Sequence, residues 1–286
     1  MKIVAGSALQ LEQETVKNLG LNVVEYPMYL NGDDYPVSMA MSREEKDILR
    51  MLLKDKNNKV TTSGLREQDL KKAYLACGGD KIISIHQAGK ASTATSAMIN
   101  RVLSENPELD VTFIDSHHLT AAYTVIVQQA AEAAAGGMAF DELKEYIEII
   151  RDNTRHLGCV YDLFYLHRTG RLGLAKAIMG SAMKIIALLS SSGDPGVLVS
   201  IGKVKNSIQA NTRFVNMVKE DMEKKNGKRV RCVISVIGPH EKEAQDLKSK
   251  LEALDFPVQA EIHYTNHSNM PHAGPDFYDL GYTIHA

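Results

Sequence analysis

Three short segments carry residue types suited to holding an anion: Thr61-Thr62-Ser63-Gly64, Gly170-Arg171-Leu172 and His272-Ala273-Gly274-Pro275. Each lies where an apolar run gives way to a loop or helix, and together they supply hydroxyls, one guanidinium and one imidazole. A further stretch, Gly89-Lys90-Ala91-Ser92-Thr93, follows a β-like run and offers two more hydroxyls, Ser92 and Thr93. Hydroxyls and free N–H groups at a helix N-terminus attract negative charge, because the helix dipole is positive there. The same hydroxyls serve equally well as plain N-caps. Arginine suits bidentate recognition of carboxylate or phosphate, and Arg168 and Arg171 flank Thr169-Gly170.

Signatures of bond-breaking chemistry are missing. The sequence holds no GxGxxG and no GxxxxGK[ST], so a nucleotide site has no support. It has no GxSxG elbow. His263, His267 and His272 fall in a strand–loop segment where no helix puts the first two on one face and no Cys or acidic ligand is evident nearby, and His117-His118 are read the same way, so no metal is expected. Cys77, Cys159 and Cys232 stand apart without CxxC spacing, which argues against disulfides or a zinc ribbon and fits a reducing compartment. The reading that follows is a site that holds a ligand rather than cleaving one.

Elements that would position these residues alternate along the first half. Ile3–Ala5 reads as a strand, Glu12–Leu19 as a helix closed by Gly20, and Val23–Tyr29 as a second strand turning at Asn31-Gly32. Ser42 and Glu45 form a capping box that opens a helix through Leu53, and a helix is expected from near Leu65. Lys81–His86 and Val111–Asp115 are further strands, followed by helical stretches at Ser92–Leu103 and Thr120–Ala135. This alternation predicts parallel βαβ units. After the helix Asp141–Arg151 a boundary is expected near Asn153–Gly158, giving an N-terminal parallel-sheet α/β domain over 1–155. A C-terminal α+β, mixed-sheet domain follows over 156–286. In it we expect strands at Leu157–Leu163, Ile185–Leu189, Val197–Ile201, Val230–Ile237 and Val258–Tyr264, with a turn at Gly193–Gly196. Helices are expected at Ala175–Lys184, Ser207–Lys225 and Glu241–Leu254.

A chain of 286 residues suits two medium domains, since single cores stop growing at roughly 250–300 residues. The formal charge of −2, without a basic run, gives no reason to expect nucleic acid as a partner. No stretch is apolar for the roughly 18 residues a membrane span needs, and no signal peptide is visible, so the expectation is a cytoplasmic protein. The twelve methionines, with Leu and Ile in Leu172–Leu189 and Val111–Val127, are suited to line a deformable apolar cavity, core packing being the ordinary account.

Taken in order, the segments resemble the DegV family of bacterial fatty-acid-binding proteins over nearly the whole chain. The marks are Ser7 after the first strand, Thr61-Thr62-Ser63, Ile114-Asp115-Ser116, Leu166-His167-Arg168-Thr169-Gly170-Arg171-Leu172, Gly180-Ser181 and His272-Ala273-Gly274-Pro275. The resemblance implies two α/β domains with a long-chain fatty acid sealed between them, its carboxylate meeting hydroxyls and an imidazole. It implies a non-enzyme without cofactor, some members being the acyl-carrying subunit of a fatty-acid kinase. By position, Thr62 and Ser63 match the family's Thr-Ser pair, Arg171 its Gly-Arg, and His272 the histidine of its closing loop. Ser7, Ser92 and Thr93 complete the expected ligand-binding set, with a His272 imidazolium or Arg171 keeping the carboxylate ionised. Three departures stand out: Gly6-Ser7-Ala8 for Asp-Ser-Thr, Gln87-Ala88 and Ala91-Ser92-Thr93 for Ser-Ser and Ser-Gly-Thr, and Lys203-Val204-Lys205-Asn206-Ser207 for an arginine-rich stretch. The rival readings are a phosphotransferase or hydrolase using His272 and Arg171, and a binding module for another small carboxylate.

Overall fold

In the computed structural model, residues 1–172, 185–191 and 196–286 are described. Among them three sheets form. The first is parallel, with strand order β2-β1-β6-β7, from Lys2–Gly6 (β1), Leu21–Val24 (β2), Ile82–His86 (β6) and Val111–Asp115 (β7). Its crossovers include the helices Gln13–Asn18 (α1), Arg43–Lys54 (α2), Glu67–Leu75 (α3) and Thr93–Glu105 (α4). Antiparallel strands Met28–Leu30 (β3), Asp33–Tyr35 (β4) and Val60–Thr62 (β5) make the small second sheet. The third has six strands in the order β10-β9-β8-β13-β11-β12. These are Thr154–Val160 (β8), Ile186–Ser190 (β9), Val199–Val204 (β10), Arg229–Ile237 (β11), Val258–Tyr264 (β12) and Phe277–His285 (β13). Only β11 and β12 pair in parallel; the other neighbours in this sheet are antiparallel. The protein is therefore α/β, with a parallel-sheet N-terminal domain and a mixed-sheet C-terminal domain.

Local chemistry explains several element boundaries. Ser42 Oγ accepts from the Glu45 N–H at 3.2 Å while Ser42 N–H donates to Glu45 Oε2 at 2.7 Å, so the expected capping box opens α2. Asn31 and Gly32 both have positive φ, 56° and 102°, which makes the two-residue hairpin turn between β3 and β4. The single strand expected over Val23–Tyr29 is two strands in different sheets, since Pro27 lies between β2 and β3 and has no N–H for a ladder. Thr61-Thr62 does not precede a helix. It ends β5, and α3 begins at Glu67 without side-chain capping. The strand expected to reach Leu163 stops at Val160, and the short helix Phe164–Arg168 (α7) follows. β13 was not anticipated, although it pairs with β8 on one side and β11 on the other. The expected helix Ala175–Lys184, the Gly180-Ser181 pair and most of the Gly193–Gly196 turn lie outside the described residues.

The helix Thr120–Ala135 (α5) joins the two main sheets. Its residues from Ala121 to Ala131 are all buried, as expected of a helix covered on every side. Gly281 on β13 makes the close approach possible, since a Cβ there would lie 2.2 Å from the Ala122 nitrogen. Asp279, two residues earlier and fully buried, accepts hydrogen bonds from the Thr120 hydroxyl, the Ala121 N–H (3.3 Å) and the Ser235 hydroxyl, and lies 3.1 Å from His156 Nε2. Thr120 sits at φ 46°, a conformation a β-branched residue rarely adopts, held by that carboxylate. Separate apolar cores fill each main domain, the first with the helix Phe140–Asp152 (α6), the second with Ser207–Lys224 (α8) and Glu241–Glu252 (α9). A third joins Leu49, Leu53 and Val60 to Val160, Leu166, Leu189 and Phe277.

Candidate functional site

Beside that third core lies a mainly apolar cavity of about 130 Å³, partly open to solvent. The β5 end and the loop after it bring Thr62, Ser63 and Gly64. The start of α4 brings Ser92 and Thr93, and the loop after α7 brings Arg171. Phe277 begins β13, and the short helix Met270–Ala273 (α10) supplies His272. On β8 the alternation of a strand turns His156, Gly158 and Val160 to the same face, and all three line the cavity. Leu189 and Leu198 extend the apolar wall.

The polar residues converge as a set. Thr62 Oγ1 lies 2.9 Å from His272 Nε2 in a hydrogen bond whose direction depends on the imidazole tautomer. His272 Nδ1 is buried without a hydrogen-bond partner. Burial, with a smaller push from Arg171, drives the His272 pKa down to about 3, so the ring is neutral at physiological pH. Among these residues the positive charge is therefore on Arg171. Burial lowers the Arg171 pKa as well, yet an arginine stays charged over the ordinary pH range. Ser92 is buried and donates to Thr95 Oγ1 at 2.8 Å. Ser63 donates to the Gly64 carbonyl at 3.1 Å. Gly64 is required by the close approach of the loop to α4, since a Cβ there would lie 2.8 Å from the Ala94 Cβ.

Ser7 is placed differently. It is fully buried outside the cavity lining, its hydroxyl accepting from the Tyr26 N–H at 3.0 Å and its carbonyl accepting from Ser268 Oγ at 2.6 Å. The serine acts at one remove, fixing Tyr26 and Ser268, both of which do line the cavity. Neither was expected, nor were Gln87, Thr120, His156 and Asn269. Proximity to His272 in sequence offered a signal for Ser268 and Asn269. Nothing local marks Tyr26, whose hydroxyl burial pushes up to about 12, with Thr95, Ser92 and Gln87 only partly offsetting it. Among the described residues no group of His, Cys, Asp and Glu has metal-binding geometry. His263 and His267 pair with carboxylates instead, His263 with Glu12 and Glu261, His267 with Glu25 at 3.2 Å.

A family model described as an uncharacterised protein of the DegV family matches residues 1–283. The chain belongs to the DegV family. A DegV domain-containing protein of Clostridium perfringens is 26% identical over 263 residues, spanning 90% of this chain and 89% of that one. Among solved structures, one described as fatty acid binding of a DegV family protein from Thermus thermophilus superimposes with a TM-score of 0.86. It is 22% identical and covers 99% of both chains. A protein described as stearic acid-binding, from Eubacterium ventriosum, gives 0.84 at 17% identity, covering 99% of this chain and 98% of its own. At these identities the likeness establishes the DegV fold. No helix among the described residues is long and apolar enough to cross a membrane.

Proposed function

We propose that this DegV-family protein is a non-catalytic carrier of a long-chain fatty acid, held between its two domains. The observation that carries the reading is a mainly apolar cavity with one polar end, where Thr62, Ser63, Ser92, Thr93, Arg171 and His272 gather. The solved relatives described as fatty-acid-binding support the choice of ligand. Each buried methylene contributes about 0.8 kcal/mol, so an acyl tail binds tightly with few polar contacts. A buried carboxylate without hydrogen bonds would be costly, and the hydroxyls, the neutral His272 and the Arg171 guanidinium answer that need. A cavity of roughly 150 Å³ holds one benzene, so a long acyl chain must extend beyond this cavity of about 130 Å³.

Arg171 and Thr93 also line an adjoining depression with Lys90, Thr169 and Gly170. On our reading this leaves the carboxylate end open to a separate kinase subunit, and the carrier works in the cytoplasm. Mass spectrometry of an organic extract of the purified protein tests the central point. We expect one long-chain fatty acid per chain. An extract without acyl chains, together with no calorimetric binding of palmitate or oleate by the delipidated protein, would sink the proposal.

A further inference from the structure

Helix α2 carries two apolar stripes where a helix packed on one side needs one. Leu49 and Leu53 are fully buried in the third core, and Arg50 on the same helix donates to the Pro275 carbonyl at 2.7 Å and to Asp276 at 2.8 Å. Ile48, Met51 and Leu52, spaced i, i+3 and i+4, form a second stripe along the helix. Ile48 is 52% exposed and Met51 60%. They line a broad, shallow groove of about 500 Å³ with Glu44, Asp47, Asp55 and Asn58. Every charged residue lining it is acidic. Arg43 is engaged by Asp47 and Glu241, and Lys56 by Asp162. Glu44 and Asp55 have no ion pair among the described residues.

We propose that this face of α2 docks a basic amphipathic segment of a protein partner, its apolar side chains on Ile48, Met51 and Leu52 and its lysines or arginines on Glu44 and Asp55. An exposed apolar stripe rimmed by polar groups marks an interaction surface, and the single sign of the rim selects the occupant. A second copy packed through a two-fold axis would set these two acids against their own images. An anionic bilayer meets the same repulsion. A helix laid in a groove presents apolar anchors at this spacing, which the stripe on α2 matches. The site is independent of the lipid cavity, because α2 reaches the C-terminal domain through its other face.

Fluorescence anisotropy with a labelled, helix-forming peptide tests the assignment. The peptide carries leucines at i, i+3, i+4 and i+7 with lysine and arginine beside them; a second version has glutamates in place of the basic residues. The basic peptide should bind the full-length protein, more weakly as salt rises, and lose about tenfold or more in affinity to Ile48→Ser/Met51→Ser and to Glu44→Lys/Asp55→Lys. The acidic version should bind only Glu44→Lys/Asp55→Lys. All replaced side chains are at the surface, and circular dichroism checks that the fold is kept. The proposal is overturned if the basic peptide fails to bind, or binds both variants as it binds the parent. It is equally overturned if Ile48→Ser/Met51→Ser abolishes either dimerisation in sedimentation or flotation with phosphatidylglycerol vesicles.

Discussion

Gly158 offers the sharpest test of where an acyl chain runs. It sits mid-strand in β8, paired on both sides, where glycine normally weakens a strand. Its φ is not positive, and a Cβ there would meet only ordinary contacts, 3.4 Å to His156 Cε1 and 3.9 Å to the Leu189 carbonyl. Neither conformation nor crowding requires it, whereas it does line the cavity. Gly158→Ala should therefore fold as well as the parent, and Gly158→Leu should put four carbons where ligand would lie. If those displace about four methylenes at about 0.8 kcal/mol each, a sixteen- or eighteen-carbon acid loses about 3 kcal/mol, roughly a two-hundred-fold rise in Kd. A chain about four carbons shorter should lose far less. Calorimetry across a series of chain lengths, with delipidated protein, reads this directly. Equal loss at every length, or no loss at any, would show that the acyl chain does not pass Gly158.

Three other perturbations address separate links. Thr62→Val removes the hydroxyl that meets His272 while keeping shape, and affinity for a long-chain fatty acid should fall about ten- to a hundred-fold, as for one charge-assisted hydrogen bond of roughly 1.5–3 kcal/mol; an unchanged Kd removes Thr62 from the site. His263 lies 2.7 Å from Glu12 and 3.3 Å from Glu261, and although burial opposes its charge these partners raise its pKa to about 9. A raised histidine contributes fully below about 6.5 and loses its contribution as pH rises through about 9. Urea denaturation should therefore show stability falling over that window, and His263→Gln should flatten the fall; an identical pH profile in the variant refutes the linkage. Gly281→Ala drives a Cβ into the α5 backbone, so a loss of at least about 3 kcal/mol, or failure to fold, is expected. A denaturation midpoint like the parent's would mean that α5 moves away easily.

What the sequence determined by itself were the features written in local chemistry. The capping box at Ser42, the Asn31-Gly32 turn and the alternating strands and helices of the first half follow from hydrogen bonds and backbone preferences between near neighbours. The types and order of Thr62, Ser63, Ser92, Thr93, Arg171 and His272 likewise singled out residues that line one cavity. Tertiary structure decided which of them touch, as with Thr62 and His272 across 210 positions of chain. It also decided the charge on His272, since burial rather than residue type drives its pKa to about 3. β13 shows the limit most clearly. Asp279 and Gly281 are poor strand formers in isolation, and each is there for α5: one to hold its first turn, the other to let its backbone come close. Ser7 reads like a ligand residue for the same reason in reverse, because only the fold reveals that its hydroxyl and carbonyl are taken by Tyr26 and Ser268. Contacts between residues far apart in the chain carry no local pattern, so that part of the site exists only once the two domains have packed.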